Sequence, residues 1–384
     1  MDFRDSQEHG DLRAAVSAVT RSFGDGYFTE HAERRQPTNE LWRALAKQGF
    51  VGVNLPAEYG GGGAGLTELA IVVEQTAAEG CPLLLLLVSS AICGEMITRY
   101  GSPRQRERWL PPLADGSIKM AFAITEPDAG SNSHQLAAAA HQDGDEWLLS
   151  GTKYYISGAD EAAAILVVAR TGTDADSGRG QLSLFVVPAD APGLTLEPLP
   201  VAAMMPERQF TVYLTDVRLG PENLLGTEHD GFTQVFHGLN PERITGAALC
   251  VGIGRYALAK AARYARERRV WDAPIGTHQG VAHPLAKARI ELEAAALLTA
   301  KAAWQHDHGE PAGEASNMAK YAAAEAALAA VDAAIQTHGG NGMSSEYGLI
   351  PLWGIARLLR IAPVNREMIL NYVAQHSLGL PRSY

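Results

Sequence analysis

Three stretches carry residue types that could do chemistry together. Met120–Asn132 (MAFAITEPDAGSN) reads as a strand running into an exposed turn, where Gly130 and Ser131 leave backbone N–H groups and a hydroxyl free. Gly151–Asp160 (GTKYYISGAD) again sets an aromatic, Tyr155, and a hydroxyl, Ser157, at a strand end. Two such loops can form a flat wall of aromatic and hydroxyl groups, suited to a planar cofactor. The third stretch, Asn240-Pro241-Glu242-Arg243, offers a carboxylate able to take a proton. It also reads as a helix start, with Asn240 as N-cap, proline in the first turn and an acid favoured by the helix dipole. On that reading the dipole holds the Glu242 carboxyl low until bound substrate desolvates it.

A fourth candidate fails on context. Gly60–Gly65 satisfies GxGxxG literally, with a short apolar run before it and a helix after it. A dinucleotide fingerprint needs the strand to run straight into the glycines inside a βαβ unit. Pro56-Ala57-Glu58-Tyr59 interrupts that junction and more helix follows, so an interhelical glycine loop is the better reading.

The elements that must position these residues follow from periodicity. Residues 11–118 repeat apolar residues at helical spacing, as in ELWRALAKQGF and LTELAIVVEQTAAEG. From Met120 to Leu219 the period drops to two, in short runs such as AAILVVAR and FTVYLTDVRL separated by turn signals. After Gly231 the helical period returns and persists, with small-residue faces suited to close helix packing. The order excludes a doubly wound α/β sheet, which needs alternating strands and helices. The expected fold is α+β and mostly helical. An N-terminal helical domain (1–118) precedes a middle antiparallel β-barrel or sandwich (119–231) and a C-terminal bundle-like helical domain (232–384).

Composition narrows the function classes. Among 384 residues, 43 acidic side chains outnumber 32 basic ones, for a formal charge of -11. A general nucleic-acid binder would show a basic face instead. The chain is 46% hydrophobic and 20% charged, an ordinary globular composition. Cys81, Cys93 and Cys250 form neither a disulfide framework nor a metal-ligand set. The apolar run Cys81–Cys93 is too short to span a bilayer and suits a core or pocket wall. The charged amino terminus shows no secretory signal, so a cytoplasmic location is expected.

Taken in order, these segments resemble the acyl-CoA dehydrogenase family. Met120–Asn132 is similar to its aliphatic–Thr–Glu–Pro–x–Ala–Gly–Ser–Asp signature, and Lys153–Ser157 to its Lys–x–aromatic–Ile–(Thr/Ser) segment. GVNLPAEYGG (Gly52–Gly61), NPERI (Asn240–Ile244), ERRVWDAPIGTHQ (Glu267–Gln279) and QTHGGNG (Gln336–Gly342) match further family motifs. NPERI corresponds there to the start of the central helix.

The resemblance implies an FAD enzyme, commonly a homotetramer, that oxidises the Cα–Cβ bond of an acyl thioester. A base takes the α-proton while the β-hydrogen leaves as hydride to flavin N5. Phe122, Ile124, Thr125 and Ser131 would meet the flavin, with Ser131 also near the thioester arm. Tyr155, Ile156 and Ser157 would cover the other side, the Ser157 hydroxyl donating to the N5 region. Arg268, Trp271, Gln279, Gln336, Gly339 and Gly340 would bind the diphosphate and adenosine half of a neighbouring subunit's FAD, and Asn365 would lie near the cofactor. Without the family pattern, Tyr155 and Ile156 read as strand core and Arg268 as a solvated helix residue.

Many members place the base in an Ile–Tyr–Glu–Gly–Thr segment near the carboxyl end. Here Pro363 stands at the Glu position and Val364-Asn365 at Gly–Thr. Members resembling the isovaleryl-CoA and long-chain enzymes carry it before an Arg on the central helix, which selects Glu242, with Arg243 beside the substrate. Glu367, on a predicted helix, is the second candidate. Gly354 stands where the family has Arg, and Asn132 where it has Asp. Leu84 and Val88 would line the far end of an apolar acyl pocket. An electron-transfer flavoprotein would be the usual acceptor, with oxygen as the alternative. A carrier-bound or non-CoA substrate, or an inactive flavin-binding homologue, also fits these departures. No metal is implied.

Overall fold

The computed structural model describes residues 5–24 and 26–382. Its first block is helical: α1 (Gln7–Arg21), α2 (Tyr27–Arg34), α3 (Asn39–Lys47), α4 (Leu66–Ala78), a π-helix (Leu86–Gly94) that runs into α5 (Glu95–Tyr100), and α6 (Pro103–Ala114). Strands follow: β1 (Met120–Ala123), β2 (Ala139–Asp143), β3 (Glu146–Ser157), β4 (Ala164–Thr173), β5 (Gly180–Pro188), β6 (Leu194–Leu199), β7 (Gln209–Leu219) and β8 (Leu224–Leu225). The last block contains α7 (Gly231–Glu267), α8 (Gln279–Asp307), α9 (Gly313–His338), α10 (Leu349–Leu359) and α11 (Arg366–His376). The expected α+β order of helices, strands and helices is the observed one.

The strands form one 8-stranded sheet, ordered β6-β7-β3-β2-β4-β5-β8, with β1 added parallel to β4. One register irregularity matters for function. β3 and β7 pair through Lys153↔Val212, then slip before resuming at Ile156↔Phe210 and Ser157↔Gln209. The bulge forces Tyr155 to a φ of +59° and leaves its ring 55% exposed. A non-glycine residue held there costs about 1 kcal/mol or more, which the surrounding pairing must offset.

The largest apolar cluster joins both helical blocks, from Val16 and Leu41 through Leu87 to Ala327 and Leu359. Small residues make it possible. A Cβ at Gly252 of α7 would stand 2.2 Å from the Glu74 carbonyl of α4, so only glycine lets these helices pass so closely.

Two expectations need correction here. Helix α7 begins at Gly231, so Asn240-Pro241-Glu242 lies inside it and is not its start. Asn240 therefore does not cap. Its Oδ1 accepts from Arg243 Nη1 at 2.8 Å and from Ser316 Oγ at 3.3 Å, tying α7 to α9. The first-turn dipole that was to hold Glu242 low is absent as well, because the macrodipole's charge acts only at the helix end.

The glycine loop carries no phosphate site. Cβ atoms at Gly61 and Gly62 would strike the Leu55 and Val53 carbonyls at 2.2 and 2.5 Å, so packing alone requires these glycines. The N-terminus of α4, where a phosphate would sit, is filled by the chain itself. Asp307 at the end of α8 accepts from Leu66 N at 2.7 Å and Thr67 N at 2.9 Å.

Candidate active site

The turn after β1 is held by a buried ion pair. Lys153 on β3 is fully buried, and its Nζ donates to Glu126 Oε1 at 2.7 Å and to the Ile124 carbonyl at 3.1 Å. Glu126 also accepts from Ala137 N at 2.6 Å and Ala138 N at 3.0 Å. Burial pushes the Lys153 ammonium down to about 8 against the pull of Glu126. Tyr154 N donates to the Thr125 carbonyl at 2.8 Å, so the bulged end of β3 is clamped alongside Ile124-Thr125. This brings Phe122, Ile124 and Thr125, all half-buried, to the same edge as Tyr155 and Ser157. Ile156 is different: its side chain is buried in the sheet core, leaving only its backbone at the wall.

Ser157 has a partner that sequence reasoning did not select. Its Oγ lies 3.0 Å from Gln209 Oε1, across the β3–β7 pair. The Gln209 side chain is buried, and its Nε2 has no partner.

Glu242 projects from the middle of α7. Its carboxylate has no hydrogen bond among the described residues. Burial pushes it up to about 7, while the Arg243 guanidinium and the Lys320 ammonium pull it down. Lys320, on α9, is buried and itself pushed down to about 8 by desolvation. Its Nζ donates to the Val364 carbonyl at 2.5 Å. The Cys93 thiol of the π-helix is raised by burial and also by the nearby Glu242 charge, which sets that helix beside the carboxylate. Leu87 of the same helix sits 3.7 Å from a Cβ position at Gly246 of α7. Val88 on that helix and Leu84 just before it belong to the same apolar cluster as Leu87 and Ile244 of α7. π-Helical turns are uncommon and recur at functional sites. Arg243 is buried, with its guanidinium 6.0 Å from the Phe236 ring and its Nε unpartnered.

The segment after α10 closes the arrangement. Asn365 Nδ2 donates to Ser131 Oγ at 2.8 Å, joining two predicted site residues distant in sequence. Its Oδ1 caps α11 by accepting from Met368 N at 2.8 Å. Glu367, the second base candidate, is exposed in the first turn of α11.

The remaining predicted residues form a separate, outward-facing group. Arg268, Gln279, Gln336, Gly339 and Gly340 are exposed, and Trp271 is 87% exposed. A cleft of about 450 Å³ between the ends of α7 and α9 is lined by Lys260, Arg263, Arg268, His338 and Asn341, among others. A Cβ on Gly340 would meet nothing within this chain, so no internal contact explains that glycine.

Sequence reasoning placed Lys153 in a motif without giving it a role, and passed over Lys320. Lys153 had a signal, since it continues the inward-facing alternation of Trp147 and Leu149. Lys320 had none, because α9 is rich in small residues and its buried face is not marked by large apolar ones.

Sequence models of the acyl-CoA dehydrogenase N-terminal, middle and C-terminal domains match residues 6–117, 121–217 and 229–378. The chain belongs to the acyl-CoA dehydrogenase family. This dehydrogenase is an oxidoreductase acting on CH–CH groups, and its relatives include enzymes named for acyl-CoA substrates. It is 54% identical to the acyl-CoA dehydrogenase FadE12 of Mycobacterium tuberculosis, over 100% of this chain and 99% of that protein. The structure of a glutaryl-coenzyme A dehydrogenase glutaryl-CoA complex superposes with a TM-score of 0.93 at 32% identity, covering 100% of this chain and 98% of that one. The FAD complex of PigA gives a TM-score of 0.91 at 26% identity, over 99% and 100% of the two chains. Among the described residues of the dehydrogenase, no helix is long and apolar enough to cross a membrane.

Proposed function

We propose that this dehydrogenase uses FAD to oxidise the Cα–Cβ bond of an acyl-CoA thioester to the 2-enoyl thioester, with Glu242 as the base. The observation that carries the reading is Glu242 itself, a carboxylate with no hydrogen bond, held near neutrality beside an apolar wall. A base is most useful when its pKa lies near the working pH. Bound FAD would supply the acceptor for the β-hydrogen, which leaves as hydride, and the α-proton passes to the Glu242 carboxylate.

The residues present fit that cofactor. Thr125, Tyr155 and Ser157 offer a wall with hydroxyl donors, and the buried Ser157–Gln209 pair holds more hydrogens than acceptors, so a donor is left for the ring. The cationic cleft containing Arg268 suits a diphosphate. Its outward position supports a neighbouring subunit as the source of that FAD, with Trp271, Gln279, Gln336, Gly339 and Gly340 contributing to the same contact in a homotetramer. Ser131 and Asn365 would position the thioester arm, and Arg243 the substrate end of α7. Leu84 and Val88 favour an aliphatic chain. An electron-transfer flavoprotein is the acceptor we expect, on family grounds.

The test is anaerobic mixing of the holoenzyme with a panel of saturated acyl-CoA thioesters while following oxidised-flavin absorbance. Bleaching by one chain class, lost in Glu242→Gln with FAD retained, supports the reading. Bleaching only by a carrier-linked acyl group would replace CoA as the handle. Bound flavin that neither donor bleaches would identify a homologue without dehydrogenase activity.

A further inference from the structure

The Ser157–Gln209 pair has a proton to spare. Between them these side chains hold a hydroxyl hydrogen and two amide hydrogens, yet only one hydrogen bond joins them. With Oε1 toward Ser157, the hydroxyl proton is spent on Gln209, and a buried NH2 group is left with no acceptor. Rotating the amide by a half-turn exchanges two atoms of nearly equal size and disturbs no packing contact of the side chain. Nε2 then donates to Ser157 Oγ over the same 3.0 Å. One of the two amide hydrogens is then used, and the atom left without a partner is a carbonyl oxygen, which is tolerated better in protein interiors than a wholly orphaned NH2 group. That orientation also aims the Ser157 hydroxyl proton away from Gln209, toward the open wall beside Thr125 and Tyr155.

Gln209 has no alternative employment. It is 4% exposed, it opens β7 immediately after the register slip, and its backbone pairs directly with Ser157. The bulge at Tyr154-Tyr155 is what brings Ser157 back into register with it.

We infer that Gln209 is a positioning residue, whose amide donates to Ser157 Oγ and so directs the Ser157 hydroxyl proton at an acceptor atom of the bound flavin ring. The inference rests on the placement of Ser157 against that ring, and the experiment separates the two. The resting holoenzyme, Ser157→Ala, Gln209→Met and the double variant are compared by the visible spectrum of the oxidised flavin and by its midpoint potential. The rate constant of flavin reduction by a thioester is measured alongside.

Ser157→Ala tests the placement: an unchanged spectrum and potential would show that Ser157 is not at the ring, and the inference falls with it. When Ser157→Ala shifts both, Gln209→Met is expected to shift them in the same direction and to slow reduction about tenfold, the size of one directed hydrogen bond. In the Ser157→Ala background it should then change neither. A Gln209→Met variant spectrally identical to the parent overturns the inference. An equal extra shift in the Ser157→Ala background also overturns it, because Gln209 would then touch the ring directly. Gln209→Leu serves as a second variant should the thioether fail to fold, and flavin content and melting temperature are recorded for each.

Discussion

Glu126 and Glu242 both stand near buried lysines, and they differ in the donors that meet them. Glu126 accepts from Lys153 Nζ, Ala137 N and Ala138 N, so its charge is met by an ammonium and two backbone dipoles. Glu242 has Lys320 and Arg243 nearby but accepts no hydrogen bond from the described residues, and burial pushes its carboxyl up to about 7. The first arrangement makes a clamp, and the second, on the proposed reading, a proton acceptor. Residue type does not separate them; the number of directed donors does.

That comparison can be broken by exchange. Glu242→Gln should lower the rate constant of flavin reduction by about a thousandfold, within the range for loss of a general base. It should leave the denaturation midpoint unchanged or slightly raised. Lys153→Met should do the opposite, costing about 3–5 kcal/mol of stability by stranding Glu126 in the interior. Urea unfolding of both variants decides the matter, and a Glu242→Gln protein as unstable as Lys153→Met would erase the distinction.

Glu207 sharpens the contrast as an intermediate case. It is buried, accepts Leu84 N at 2.9 Å, and burial pushes it up to about 7. Because its folded pKa is raised, its stabilising contribution is full below the ordinary carboxylate range and is lost as pH rises through about 7. Glu207→Gln should therefore match the parent near pH 5 and exceed it near pH 8, by on the order of 2 kcal/mol in denaturant melts.

The smallest effect concerns Lys320. Its charge pulls the Glu242 carboxyl down, so Lys320→Met should move the pH midpoint of flavin reduction upward, by about one unit. Since the proposed reaction needs the carboxylate, the rate at neutral pH should fall while the high-pH plateau survives. A midpoint that does not move would show that Lys320 acts only through the Val364 carbonyl.

The change of period at Met120 and again after Gly231 made the block order readable, and the turn residues around Gly130 and Ser157 pointed at the wall. Local sequence could not show that α7 begins before Asn240, because Asn-Pro-Glu satisfies every N-terminal preference while the preceding Gly231–Leu239 is equally helical. The bulge that turns Tyr155 outward depends on β7, which is distant in sequence, as does the Gln209 contact. The same holds for Glu242: burial raises it, and its neighbours Cys93 of the π-helix and Lys320 of α9 are distant in sequence.

The Asp307 carboxylate on the first turn of α4 has a consequence for how the chain is made. The latch links positions 241 and 240 residues apart. As the protein leaves the ribosome, the early helices emerge long before the acid that completes them, while β1–β8 can pair meanwhile. The nascent helical layer must wait with its apolar faces open until α7, α8 and α9 arrive, a delay that invites chaperone engagement. Release of the chain before residue 307 should strand it in that half-built form.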